Sequence, residues 1–219
     1  MLRTLFIFCC CGILAGCGID YDGKTKLIFE GRVIDRQGNP IENIEVFTTI
    51  SDGNTTDKIG VDATDENGNY RMIFPGADED VVFRIHFNQK EYAPDEVLSW
   101  SSASIFNIGQ DEVKDNDYLI NFGETQLYPV AESVQLTLQV SENLEHYVEF
   151  ISFEGLVDDN NTNYNFPEPS QDYYDYYDYE TTFNVAKNQV LILKYIMDGG
   201  QVHEVQIPVG EESLTYTIE

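Results

Sequence analysis

KLIFEGRVIDRQGNPIENIEVFTTI (residues 26–50) and VDATDENGNYRMIFP (residues 61–75) decide the fold of this chain. In the first, Leu27, Phe29, Gly31 and Val33 share one face of an extended segment. After a break, Ile44, Val46 and Thr48 alternate with polar neighbours in the same way. Apolar residues at period two, bounded by turn residues, are the pattern of half-buried antiparallel strands. The breaks have turn chemistry. In Arg36-Gln37-Gly38-Asn39-Pro40, Gly38 supplies positive φ and Pro40 fixes the exit. In Asp65-Glu66-Asn67-Gly68-Asn69, Asn-Gly suits a tight hairpin. A further strand is expected over 81–88, with Val81, Phe83, Ile85 and Phe87 on one face.

These residues carry a resemblance. FEGRVIDRQGNPIENIEVF followed by TDENGNYRMIF resembles the carboxypeptidase regulatory-like, or transthyretin-like, β-sandwich family. Its pattern runs G-x-V-x-D-x-x-G-x-P, an apolar strand, then T-D-x-x-G-x-Y. The matching positions are Gly31, Val33, Asp35, Gly38, Pro40, Thr64, Asp65, Gly68 and Tyr70. The resemblance covers about half the chain, residues 26–130, and implies an appended structural or binding module rather than an activity. Transthyretin-like hydrolases end in Tyr-Arg-Gly-Ser. Here the last residues are Thr215-Tyr216-Thr217-Ile218-Glu219, a departure that speaks against their chemistry.

Residues 89–116 lose the alternation and are expected as a long loop anchored by Tyr92, Trp100 and Phe106; 118–130 then closes the domain. Beyond it, strands are expected at 133–140, 147–153, 181–185, 189–197, 201–208 and 213–218, with a hairpin turn at Asp198-Gly199-Gly200. The expected fold is therefore all-β: two antiparallel Ig-like or transthyretin-like sandwiches, 26–130 and 131–219.

Residues 1–16 are a different material. Arg3 precedes an apolar run of about ten residues, too short to span a bilayer but suited to a cleaved signal peptide. The run ends in Leu14-Ala15-Gly16-Cys17, which resembles the lipobox of bacterial lipoproteins. That resemblance implies cleavage before Cys17, acylation of Cys17, and a membrane partner through that lipid. Residues 17–25 are then expected as a polar tether. Gly18, rather than Asp, after the lipidated residue favours the outer membrane, in either the periplasmic or the surface leaflet. Of the four cysteines three fall in the leader and the fourth is Cys17, so no disulfide, thiol nucleophile or thiolate metal ligand is left for the fold.

Charge excludes another class. Asp and Glu number 39 against 12 Lys and Arg, a formal charge of -27, which repels nucleic acid. With 42% hydrophobic and 13% aromatic residues in strand-like alternation, the chain nevertheless folds.

Candidate chemistry is sparse. His86, His146 and His203 lie far apart, without H-E-x-x-H spacing. Neither G-x-S-x-G nor a phosphate-binding glycine loop occurs. Asp65 to Asn69 resembles part of a calcium loop, but Gly76 stands where the bidentate Glu would be, and the family's turn explains the same residues. The loop expected over 157–180 is more unusual. Asp158, Asp159, Glu168, Asp172, Asp175, Asp178 and Glu180 alternate with Tyr164, Tyr173, Tyr174, Tyr176, Tyr177 and Tyr179, with no Lys or Arg. A solvated loop, a contact surface for an envelope protein or glycan, and a calcium site all suit that composition. No catalytic residue is assigned. The function expected is a non-catalytic binding or structural module of the cell envelope. The alternatives are a calcium-dependent adhesion or accessory protein of an outer-membrane uptake system, and a hydrolase with an unrecognised site between the domains.

Overall fold

The computed structural model describes residues 18–78, 80–89, 98–140, 148–164, 180–197 and 201–218. The chain is all-β. In order it forms β1 (Tyr21–Ile34), β2 (Glu45–Ser51), β3 (Thr56–Ala63), β4 (Asn69–Ala77), β5 (Val82–Phe87), β6 (Ala103–Gly109), α1 (Gln110–Asp115) and β7 (Leu119–Gln126). A single 3-10 turn, Val130–Glu132, leads into β8 (Ser133–Val140), β9 (Val148–Glu154), β10 (Asn160–Asn163), β11 (Glu180–Ala186), β12 (Gln189–Met197), β13 (Val202–Val209) and β14 (Leu214–Ile218).

Four sheets result, ordered β4-β1-β7, β10-β6-β5-β2-β3, β11-β8-β14 and β13-β12-β9. The first two enclose one core and the last two another. Phe29 is fully buried at the centre of the first core. It meets Phe74, Phe83 and Phe122 edge-on at 5.0, 5.7 and 5.2 Å, so one ring joins β1 to β4, β5 and β7. The second core gathers Leu136, Val185, Leu191, Leu193 and Ile218, all at zero exposure. Among the described residues no helix is long and apolar enough to cross a membrane.

Three local expectations are corrected. The polar tether is shorter than 17–25, because Ile19 is buried and β1 begins at Tyr21, pairing with Ala77. The Asp22 carboxylate accepts from the Lys24 N–H and the Thr25 hydroxyl, folding the polar residues into a bulge before Lys26 rejoins the ladder. Within 89–116, the stretch expected as a loop contains β6 and α1. β6 buries Ser104, Phe106 and Ile108 in strict alternation, but polar Ser104 stands on the buried side and Ile105 on the half-buried one, which hides the strand from a period-two reading of residue types.

The third correction falls in 157–180. Val157 is buried in the second core and bridges Val185, and Asn160–Asn163 is a strand. That strand pairs in parallel with β6, extending the first unit's five-stranded sheet from the second half of the chain. The remainder of the acidic segment, 165–179, lies outside the described residues, as do His146 and the leader with Cys17.

Candidate functional site

The recurring Asp-x-x-Gly-Asn signature builds the same turn twice. Asp35 Oδ1 accepts from the N–H groups of Gln37 and Asn39, each at 2.8 Å, and Oδ2 accepts from Asn39 Nδ2 at 2.9 Å. Asp65 Oδ1 likewise accepts from Asn67 and Asn69 N–H at 2.9 and 2.8 Å, with Asn69 Nδ2 on Oδ2 at 3.4 Å. Gly38 and Gly68 hold φ of 83° and 77°. The turns dock on each other, because Val33 N–H donates to the Gly68 carbonyl at 2.8 Å.

Burial acts upward on Asp35, but the hydrogen bonds from Asn39, Gln37 and Gly38 outweigh it and hold its carboxyl below the ordinary range. The backbone N–H of Asn69 does most to lower Asp65. These carboxylates are therefore occupied by their own turns, which accounts for the partial calcium loop without an ion. Among the described residues no group of three or more His, Cys, Asp or Glu is placed to hold a metal.

The motif's Gly31 and Tyr70 are direct cross-strand partners. A Cβ on Gly31 would stand 2.5 Å from the Tyr70 hydroxyl, so only glycine leaves room for that buried ring. The Tyr70 hydroxyl has no hydrogen-bond partner among the described residues, and desolvation raises its pKa well above the usual phenol value.

A polar chain crosses the junction between the two units. On the outer face of the five-stranded sheet, Thr49 Oγ1 lies 3.1 Å from His86 Nε2, and His86 Nδ1 lies 2.6 Å from Gln89 Oε1. Gln89 Nε2 donates to Asp159 Oδ1 at 2.7 Å. Because that carboxylate takes the amide's donor, Gln89 Oε1 faces His86 Nδ1 as an acceptor. The His86 ring also stacks on Phe47 at 4.4 Å. Asp158 Oδ1 accepts from the N–H and the hydroxyl of Ser102 at 2.7 and 3.1 Å, and from the Asp159 N–H at 3.1 Å. Partial withdrawal from water at the junction, then the charge of Asp158, raises the Asp159 carboxyl; Gln89 and Arg84 act the other way.

Thr49, His86 and Gln89 have the order of a nucleophile, a base and an orienting group. The orienting group is a neutral amide, and Thr49 sits mid-strand with Lys58 and Arg84 paired on either side. The structure places His86 and His203 in different units. His86 belongs to the first unit, while His203 lies on β13 of the second, stacked on Tyr195 at 5.0 Å.

Further contacts lock the junction. The Tyr128 hydroxyl donates to the Asn184 carbonyl at 3.0 Å, and Arg36 donates to the carbonyls of Lys187 and Asn188 at 2.7 and 2.9 Å. Beside β10 a cleft of about 440 Å³ opens between the units, with Phe87, Ile105 and Phe122 on one side and Leu156 and Val157 on the other. Nothing in the order of residues marks this junction, since Asn160-Asn161-Thr162-Asn163 has no apolar alternation.

No protein-family model and no curated protein matches the chain. Among solved structures, it is similar to a shaft pilin of Lactobacillus rhamnosus GG at 8% identity, over 89% of this chain and 99% of that one, with a TM-score of 0.34. A streptococcal ancillary pilin matches at 8% identity over 90% of this chain and 62% of its own, with a TM-score of 0.31. A 9R-lipoxygenase from Cyanothece matches at 18% identity over 57% of this chain, with a TM-score of 0.29. The chain spans only 20% of that enzyme's length. Likenesses this remote carry nothing about function.

Proposed function

We propose that this chain is a non-catalytic binding or structural module, held at the bacterial cell envelope by lipid on Cys17. The observation that carries the non-catalytic part is how the polar groups are used. Asp35, Asp65, Asp158 and His86 each hold a turn or the junction together. The first unit is read as a carboxypeptidase regulatory-like sandwich, on the motif positions already named. Support for the anchor comes from the Leu14-Ala15-Gly16-Cys17 sequence and from a fold that needs no thiol. An envelope protein or glycan is the partner class that the acidic, Tyr-rich segment suits.

The test is incorporation of an alkyne-tagged fatty acid in a bacterial host. The wild-type chain should be labelled and partition into detergent, and Cys17→Ala should do neither. Labelling of the variant would refute the anchor.

A further inference from the structure

We propose that the two units form a spacer that resists tension applied along the chain. The inference rests on the reading that the chain is anchored at its amino-terminal side, and it sets the far point of load at the carboxyl end of β14 rather than within the second unit.

Parallel pairing is confined to three places among the described residues: β1 with β7, β8 with β14, and β6 with β10. The first two pairs join the first strand of a unit to its last. In the first unit the register runs from Ile28 opposite Leu119 to Ile34 opposite Gln126. Two backbone bonds extend it, Ile28 N–H to Tyr118 O at 2.9 Å and Leu127 N–H to Ile34 O at 3.0 Å. In the second unit the register runs from Leu214 opposite Leu136 to Ile218 opposite Val140.

The mechanical consequence follows from direction alone. Tension enters each unit at the amino end of its first strand and leaves at the carboxyl end of its last. In a parallel pair those points lie at opposite ends of the ladder, so the strands are pulled lengthwise past each other. Every cross-strand hydrogen bond is then loaded together. An antiparallel hairpin such as β12–β13, pulled at its two open ends, separates one pair at a time. Parallel ladders hold slightly less per residue at equilibrium, so what sets these pairs apart is the direction in which they are loaded rather than the strength of their bonds.

The third parallel pair and the junction contacts close the path between the units. Tension leaving Gln126 passes through Leu127 and Tyr128, each 1% exposed, before reaching β8. There the Ser101 N–H donates to the Tyr128 carbonyl at 2.8 Å, the Tyr128 hydroxyl holds Asn184, and Arg36 grips the Lys187 and Asn188 carbonyls. With no cysteine after position 17, these ladders bear load without a disulfide.

The test is single-molecule force spectroscopy on the chain from residue 17 onward in a Cys17→Ser background, at one loading rate. One form carries a handle through Glu132→Cys, just before β8, and a second handle at the carboxyl terminus, which shears β8 against β14. The other carries handles through Glu132→Cys and Glu212→Cys, both at the same end of that ladder, which unzips it. Both positions are exposed, and the strands keep their native sequence. Forced unfolding reads the barrier rather than the equilibrium. The expected result is a rupture force several-fold higher in the shearing geometry. Equal forces, or a higher force on unzipping, would overturn the inference. The handles replace the natural anchor, so this outcome is independent of acylation. A failed fatty-acid label would refute the anchor while leaving the mechanics standing.

Discussion

Gly38 and Gly68 occupy equivalent positions in two copies of one turn, at φ 83° and 77°, yet their surroundings differ. A Cβ on Gly38 would meet nothing within 4 Å. A Cβ on Gly68 would stand 2.4 Å from the Val33 carbonyl oxygen and 3.1 Å from Pro40 Cβ. The Val33 carbonyl cannot easily retreat, because it accepts from Ile41 N–H at 3.1 Å while its own N–H donates to Gly68 at 2.8 Å. An alanine in the left-handed region costs about 1–2 kcal/mol, offset by about 0.4–1 kcal/mol from the stiffer unfolded chain. Gly38→Ala should therefore destabilise by about 1 kcal/mol. Gly68→Ala adds overpacking of about 1–3 kcal/mol against pinned backbone. The assay is urea unfolding followed by the fluorescence of Trp100, the single tryptophan, which packs against the first core. With a slope of about 2 kcal/mol/M, the midpoint should fall by about 0.5 M for Gly38→Ala and by about 1–2 M for Gly68→Ala. Equal shifts would refute the stacking of the two turns, because φ strain alone is common to both.

Acid should weaken the same region. Asp35 and Asp65 have folded pKa values below their unfolded ones, so their contribution is present above an unfolded value of about 3.9 and is lost as pH falls through the lower, folded values. The stability gap between wild type and the Asp35→Asn, Asp65→Asn double variant should shrink over that interval, read as melting temperature against pH. A gap constant with pH would show that the carboxylate charge is not what the turns use. Tyr128→Phe removes the hydroxyl held by the Asn184 carbonyl, which keeps its bond from the Asp158 N–H, and should cost about 0.5–1.5 kcal/mol. Calorimetry should then show the two units melting farther apart, and an unchanged profile would mean that this bond does not couple them.

What could be read from the sequence alone is what is decided within a few residues. The two Asp-x-x-Gly-Asn turns close through bonds no more than four residues apart, so Asp35, Gly38, Asp65 and Gly68 announce them locally. The strands through Phe29, Phe83 and Leu136 likewise show their buried faces by alternation, because one face of each meets a core. The all-β architecture followed from those two signals. The junction was hidden for the opposite reason. Asn160–Asn163 buries no apolar stripe, and its place is fixed by backbone pairing with β6, 57 residues away in the Ser104–Asn161 contact. Asp158 and Asp159 looked like members of a solvated acidic run, and only the fold supplies Ser102 and Gln89 as their partners. Strand direction belongs to the same class. Alternation marks which residues face inward, but it is identical for parallel and antiparallel neighbours. The pairing of β1 with β7 and of β8 with β14 was therefore settled only when the whole chain had closed around its two cores.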